Sequence, residues 1–145
     1  RAMQLFQVIQ TVDSVEKAIA IDKRARRQGT VIPVYMEINS ADEAAKSGFS
    51  PRLEPLLNAA QQIANLTGIS VSGMMTMGPL TENPEDCRPY FRKTRELFDR
   101  LSDAEVPSIA MQTLSMGMSD SYRVAVEEGA TMVRLGTVVF GRRSY

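Results

Sequence analysis

Apolar segments of two kinds alternate along the chain, and their periods predict a repeating order of strands and helices. Short runs rich in β-branched residues are typical of buried strands, whereas apolar residues every three or four positions are typical of amphipathic helices. We predict five strands, at Leu5–Val12, Val31–Ile38, Ile69–Met77, Pro107–Met116 and Met132–Val139. Between them we predict four helices, at Ser14–Arg27, Pro51–Asn65, Glu85–Ser102 and Ser119–Glu128.

This alternation predicts an α/β fold with a parallel sheet and right-handed crossovers. An open, doubly wound sheet of five strands suits 145 residues. A piece of a (β/α)8 barrel has the same order, although a whole barrel needs about 250 residues. In both folds ligands bind at the carboxyl ends of the strands. That rule selects a candidate site face made of Thr11–Asp13, Asn39, Met75–Met77, Ser115–Ser119 and Arg134–Thr137.

The composition is ordinary for a globular domain and argues against several classes of function. Seventeen basic residues balance 17 acidic ones, so no net charge favours nucleic acid or an anionic membrane. No apolar run approaches the roughly 20 residues of a membrane-spanning helix. Histidine is absent, which excludes histidine catalysis and histidine metal sites from these residues. The single cysteine, Cys87, excludes an internal disulfide and fits a reducing compartment, so we expect a cytoplasmic protein.

The last two predicted strand ends carry residues suited to a phosphate group. The segment Gly117-Met-Ser119 leads into a predicted helix, where free backbone amides favour an anion. Ser119 has an alternative role as the N-cap of that helix. Gly136 and Thr137 add backbone amides and a hydroxyl at the next strand end. Together the two strand ends predict a phosphate site.

Three further positions belong to the candidate site. Arg134 shares a strand face with Gly136, and an arginine in an apolar strand needs a ligand or a carboxylate partner, such as Glu37 or Asp13. Asn39 follows the second strand and either orients a ligand or caps the next loop. Met75 either packs in the core or lines an aromatic ligand.

Two segments near the C-terminus resemble the pyridoxal 5′-phosphate (PLP) homeostasis protein family. They are Leu114-Ser-Met-Gly-Met-Ser-Asp120 and Thr131–Tyr145, and further matches are Thr11–Asp13, Glu37–Asn39, Lys46–Gly48 and Gly73–Met77. The resemblance implies the fold-type III PLP architecture, a single (β/α)8 barrel of the TIM type similar to the N-terminal domain of alanine racemase. It further implies that residues 1–145 are the C-terminal part of that barrel, about strands 4 to 8, without its N-terminal strands.

The resemblance also implies roles for individual residues. Ser119, Gly136 and Thr137 are expected to hold the PLP phosphate, and Arg134 is expected to face the pyridine nitrogen. Because arginine keeps its proton, the ring nitrogen then accepts a hydrogen bond and the ring withdraws electrons poorly. The implied function is non-catalytic: the protein binds PLP and buffers its supply, with effects on amino-acid balance.

The family's Schiff-base lysine lies at the end of the first barrel strand, and no lysine here is placed in that way. Lys17 and Lys23 fall on the first predicted helix, Lys93 on the third, and Lys46 in a loop. We therefore expect that borohydride does not trap PLP on this chain.

Two other functions fit parts of the pattern. An alanine-racemase-like PLP enzyme needs a catalytic lysine and an opposing acid–base, and none of the tyrosines is predicted at a strand end with a partner (Tyr35, Tyr90, Tyr122 and Tyr145). A flavodoxin-like open module would bind another small phosphate ligand. In a barrel fragment the first and last strands are unpaired edges, so we expect association with an N-terminal segment or with a second copy.

Overall fold

The computed structural model describes residues 5–141, and its central feature is a sheet of five parallel strands in sequential order. The strands are β1 (Ile9–Val12), β2 (Ile32–Glu37), β3 (Ile69–Met75), β4 (Ile109–Met118) and β5 (Met132–Arg134). Each strand pairs in parallel with the next along the chain. A doubly wound sheet reverses its strand order at a switch point. The unbroken order is that of a barrel, so the flavodoxin-like alternative is wrong.

Helices connect the strands and cover one face of the sheet. They are α1 (Val15–Arg27), α2 (Leu53–Ala64), α3 (Arg88–Asp103), α4 (Tyr122–Glu127) and a single turn, α5 (Thr137–Phe140), and a 3-10 turn at Pro84–Cys87 leads into α3. Their apolar stripes and the outer face of the strands form one core, whose largest fully buried side chains include Phe91, Met36, Leu56 and Leu114. None of the described helices is long and apolar enough to cross a bilayer.

The sheet is strongly curved, so side chains on its inner face meet across it. Gln10 on β1 accepts a hydrogen bond from Ser115 Oγ on β4 at 2.9 Å, and Gln10 Nε2 lies 3.3 Å from Met132 Sδ on β5. In a flat sheet, strands three spacings apart are about 14 Å distant. These contacts therefore define a half-barrel with a partly polar interior. As predicted, the first and last strands are its edges.

The predicted order of strands and helices is confirmed, but several boundaries are wrong. The first strand begins at Ile9 rather than Leu5, because its ladder with β2 reaches only from Ile9 to Val12. The fourth strand is shifted two residues, to Ile109–Met118. Other elements differ by one to three residues at their ends, namely β2, β3, α2 and α3. The predicted cap of α1 is confirmed, since Ser14 Oγ accepts a hydrogen bond from the Lys17 amide at 3.2 Å.

The prediction for the fifth strand is wrong over its second half. The strand ends at Arg134, and residues 137–140 form α5. The amides of Val139 and Phe140 both donate to the Gly136 carbonyl, at 2.9 Å. The side chains here are exposed, 61% for Val139 and 86% for Phe140. The β-branched residues of this run favour a strand by propensity. They do not form one, because they have no neighbouring strand to pair with in the described part of the chain.

The alternative role of Ser119, as the N-cap of the fourth helix, is wrong. Helix α4 begins at Tyr122, and the residue at its N-cap position is Ser121, whose Oγ accepts a hydrogen bond from the Met118 amide at 3.3 Å. Gly117 makes this turn possible, since its φ is +90° and a Cβ there would lie 2.5 Å from Ala125 Cβ. Ser119 is thus left outside the helix and free to contact the next strand end.

Candidate functional site

The carboxyl ends of β4 and β5 bring together the residues predicted to hold a phosphate. Ser119 Oγ accepts hydrogen bonds from the amides of Gly136 and Val138, each at 3.2 Å. Thr137 lies between those two residues and is exposed. The Ser119 hydroxyl proton is thus the group left to donate to a phosphate oxygen, and the two amides can reach one only when Ser119 Oγ releases them.

The space beside Ser119 and these amides is open. A Cβ built on Gly136 would meet no atom within 4 Å, and the φ of Gly136 is negative, at −119°. The donors, together with this open approach, fit an anionic group such as the phosphate of PLP.

Arg134, at the end of β5, is anchored by neutral acceptors. Its Nη1 donates to the Ser115 carbonyl at 3.1 Å and to Ser115 Oγ at 2.8 Å, and its Nη2 donates to the Thr76 carbonyl at 3.0 Å. The predicted alternative, an ion pair with Glu37 or Asp13, is not how the guanidinium is held. Asp13 instead pairs with Lys17. The positive charge of Arg134 is therefore fixed in place without being neutralised in direct contact.

The electrostatics of the inner face couple Arg134 to Glu37. Burial lowers the pKa of Arg134, and the Glu37 carboxylate opposes that shift. Burial also raises the pKa of Glu37, and the neighbouring Asp13 carboxylate raises it further, while Lys17 and Arg134 lower it. Arginine remains charged at neutral pH even when its pKa falls. The inner face thus presents a half-buried cation to any hydrogen-bond acceptor that enters.

A cleft of about 370 Å³ adjoins Arg134 at the carboxyl ends of the first three strands. Its lining includes Asp13, Glu37, Asn39, Lys46 and Thr76. Thr76 links the cleft to Arg134, because it lines the cleft and its backbone carbonyl accepts a hydrogen bond from the guanidinium. A concave surface beside a fixed cation therefore lies at the edge of the sheet where we predicted that ligands bind.

Asn39 caps the loop that follows β2. Its Nδ2 donates to the carbonyls of Glu43 and Lys46, at 2.8 and 3.1 Å, and its Oδ1 accepts from the Glu43 amide at 3.1 Å. Of the two roles that the sequence left open for Asn39, loop capping is observed, and ligand contact stays a prediction. Met75 is 3% exposed and lies beside Ser115 in the β3–β4 ladder, so its contact with a ligand is also still a prediction.

Three further nucleophilic side chains, Cys87, Lys17 and Lys46, are restrained by burial or by an ion pair. Cys87 is buried, and burial raises the pKa of its thiol, so the reactive thiolate is disfavoured. Lys17 pairs with Asp13 and Lys46 pairs with Glu43. Lys46 also lines the cleft, which its predicted position in a loop did not reveal. Tyr145, considered above as an acid–base, lies outside the described residues.

Sequence reasoning did not assign roles to Gln10, Thr76 and Ser115. Thr76 and Ser115 fell within the predicted site face, but nothing identified them as partners of Arg134. Gln10 was missed altogether. A polar residue at an inward position of an apolar strand was the available sign, since such a residue needs a partner inside the barrel.

Comparisons with known proteins agree with this architecture. Residues 1–144 match the family model described as alanine racemase, N-terminal domain. The pyridoxal phosphate homeostasis protein of Aquifex aeolicus is 44% identical over 138 residues, which cover 95% of this chain and 59% of that protein. The resemblance to that family is confirmed, and the chain spans less than two thirds of the length of this curated relative.

Solved structures show the same fold. PipY of Synechococcus elongatus, in a structure with PLP bound, superposes with a TM-score of 0.83 at 28% identity, covering 97% of this chain and 63% of PipY. An alanine racemase of Clostridium difficile 630 gives a TM-score of 0.75 at 22% identity over 95% of this chain and 35% of its own, which supports the fold alone. With its five parallel strands forming a half-barrel of this type, the chain belongs to the alanine racemase N-terminal domain family.

Proposed function

We propose that the chain binds PLP at the carboxyl ends of β4 and β5. Ser119, Gly136 and Thr137 hold the phosphate, and Arg134 donates a hydrogen bond to the pyridine nitrogen. One observation carries the proposal: the donors around Ser119 and the fixed guanidinium lie at the ends of two adjacent strands. PipY, which has this fold, is a PLP-binding protein by its printed description.

The proposed function is binding and homeostasis of PLP rather than turnover. When bound, PLP supplies an electrophilic aldehyde and an aromatic ring that withdraws electrons. Arg134 keeps its proton, so it leaves the ring nitrogen unprotonated and limits that withdrawal. The Aquifex aeolicus relative carries the name of a homeostasis protein. The buried Cys87 thiol and the ion-paired Lys17 and Lys46 also favour a binding role.

We also propose that β1 to β5 are strands 4 to 8 of a single (β/α)8 barrel, with residues 1–145 as its C-terminal part. The sequential order and the curvature of the sheet support this numbering. The shares of 59% and 63% that the chain covers in its relatives are close to five strands of eight.

Equilibrium dialysis with PLP tests the proposed function. We expect saturable binding of PLP and weaker binding of pyridoxal, which lacks the phosphate. Ser119→Ala is expected to weaken PLP binding by about threefold to tenfold, the range for loss of one hydrogen bond. Ser102→Ala is the matched control, because Ser102 is exposed in the last turn of α3. Equal affinity for PLP and pyridoxal would contradict the phosphate assignment.

A further inference from the structure

A chain of hydrogen bonds crosses the inner face of the half-barrel and ends on Arg134. Ser115 is fully buried, and its single hydroxyl proton is donated to Gln10 Oε1 at 2.9 Å. The Ser115 oxygen is therefore left as an acceptor, and it receives Nη1 of Arg134 at 2.8 Å. The direction of the chain is fixed, because a hydroxyl has one proton to give.

The Gln10 amide has a preferred orientation in this chain. Its Nε2 donor lies 3.3 Å from Met132 Sδ, so its oxygen faces Ser115. The flipped amide would place an N–H group on Ser115 Oγ, which already accepts from Arg134, and would take away the acceptor of the Ser115 hydroxyl proton. The observed orientation gives that proton an acceptor and keeps the bond from Arg134.

These contacts occupy only part of the guanidinium. Arginine has five N–H donors. Both protons of Nη1 go to Ser115, to its Oγ and its carbonyl, and one proton of Nη2 goes to the Thr76 carbonyl. The Ser115 carbonyl also accepts from the Thr76 amide at 3.0 Å, just beyond the end of β3. One edge of the guanidinium is thus tied to two strands, which leaves two donors for a ligand.

We propose that Gln10 and Ser115 are positioning residues that fix the direction in which Arg134 presents its remaining donors. The inference rests on the proposed function, because the acceptor that those donors meet is the ring nitrogen of PLP. Ser115 acts through Arg134, and Gln10 acts through Ser115. Neither residue touches the ligand.

The inference separates the two ends of the site. Loss of the Ser115 hydroxyl loosens the guanidinium but leaves Ser119 and the amides of Gly136 and Val138 in place. Binding that depends on the ring should weaken, and binding that depends on the phosphate alone should not. A role of Ser115 in general stability would weaken both to the same extent.

Equilibrium dialysis of PLP and of inorganic phosphate, on the full 145-residue chain, distinguishes these cases. Ser115→Ala and Gln10→Leu are expected to weaken PLP binding by about threefold to tenfold and to leave the affinity for phosphate unchanged. Thr94→Val is the matched control, since Thr94 is a fully buried hydroxyl residue that bonds to the Tyr90 carbonyl on α3. It should change neither affinity. Circular dichroism verifies that each variant is folded.

A double-mutant cycle gives the decisive readout. In the Arg134→Ala background, Ser115→Ala should cause no further loss of PLP affinity, because its effect passes through the arginine. The positioning role is overturned if Ser115→Ala has the same effect in both backgrounds, or no effect in the wild type while Arg134→Ala weakens binding. Gln10→Leu gives the same comparison if Ser115→Ala does not fold. If the wild-type chain binds no PLP, or Arg134→Ala leaves its affinity unchanged, the proposed function fails and the positioning role fails with it.

Discussion

Replacing Arg134 should weaken ligand binding and leave the free energy of unfolding almost unchanged. This is an unusual result for a half-buried arginine. In Arg134→Leu, the Ser115 carbonyl keeps its bond from the Thr76 amide, and Ser115 Oγ keeps Gln10. Of the three acceptors that lose Arg134, only the Thr76 carbonyl has no second hydrogen-bond partner among the described residues. The acceptors left behind are therefore mostly satisfied.

The magnitude follows from these contacts. Three hydrogen bonds from the charged guanidinium to neutral acceptors are lost, which together contribute several kcal/mol. The same change removes the cost of keeping a partly desolvated charge, which is of similar size. We expect the free energy of unfolding to change by no more than about 1 kcal/mol. Loss of a charge-assisted hydrogen bond to the ring, about 1.5–3 kcal/mol, should weaken PLP binding about 10- to 150-fold.

Urea unfolding followed by circular dichroism measures the first quantity, and equilibrium dialysis with PLP measures the second. Arg24→Leu is the control, because Arg24 is an exposed arginine on α1, away from the inner face. It should leave PLP affinity unchanged. A loss of more than about 3 kcal/mol of stability in Arg134→Leu, or an unchanged affinity for PLP, would refute the reasoning.

Three further outcomes are expected. Asp22→Ala should cost about 1–3 kcal/mol in urea unfolding, because buried Asp22 accepts the Gly68 amide at 2.7 Å and that amide would lose its partner; a neutral result contradicts this. Arg92 and Arg88 lower the pKa of Glu128, so its stabilisation is present above the unfolded pKa of about 4.3 and is lost as pH falls through the lowered native pKa; a pH series of unfolding midpoints should therefore show a shallower acid decline for Glu128→Gln, and an unchanged decline argues against it. The edge strands β1 and β5, each unpaired on one side within residues 5–141, should drive association in sedimentation equilibrium, whereas a stable monomer of 16.1 kDa would argue against it.

The strand–helix order and the proximity of Ser119 to Gly136 could be predicted, because the order depends on local pattern and the proximity follows from it. Apolar residues recur with the periods of strands and of amphipathic helices, two and 3.6 residues, so each element can be recognised from its own segment. Ser119 and Gly136 could be placed because parallel strands end at the same edge of the sheet. The family resemblance added PLP as the proposed ligand, which the spacing of these residues alone does not give.

The errors have a common physical cause, which is that long-range contacts decided what local propensity could not. Residues 137–140 favour β structure by composition, yet they form a turn that places two amides on Ser119, 17 and 19 residues earlier in the chain. The contact of Gln10 with Ser115 spans 105 residues and depends on the curvature of the sheet. Neither register nor curvature can be read from one segment at a time.

A crystal structure of the chain grown with PLP tests the central claim most directly. We predict phosphate oxygens within hydrogen-bond distance of Ser119 Oγ and the Gly136 amide, with the pyridine nitrogen facing the Arg134 guanidinium. Electron density that places the phosphate in the cleft beside Asn39 and Lys46, or turns the ring nitrogen away from Arg134, would contradict the account.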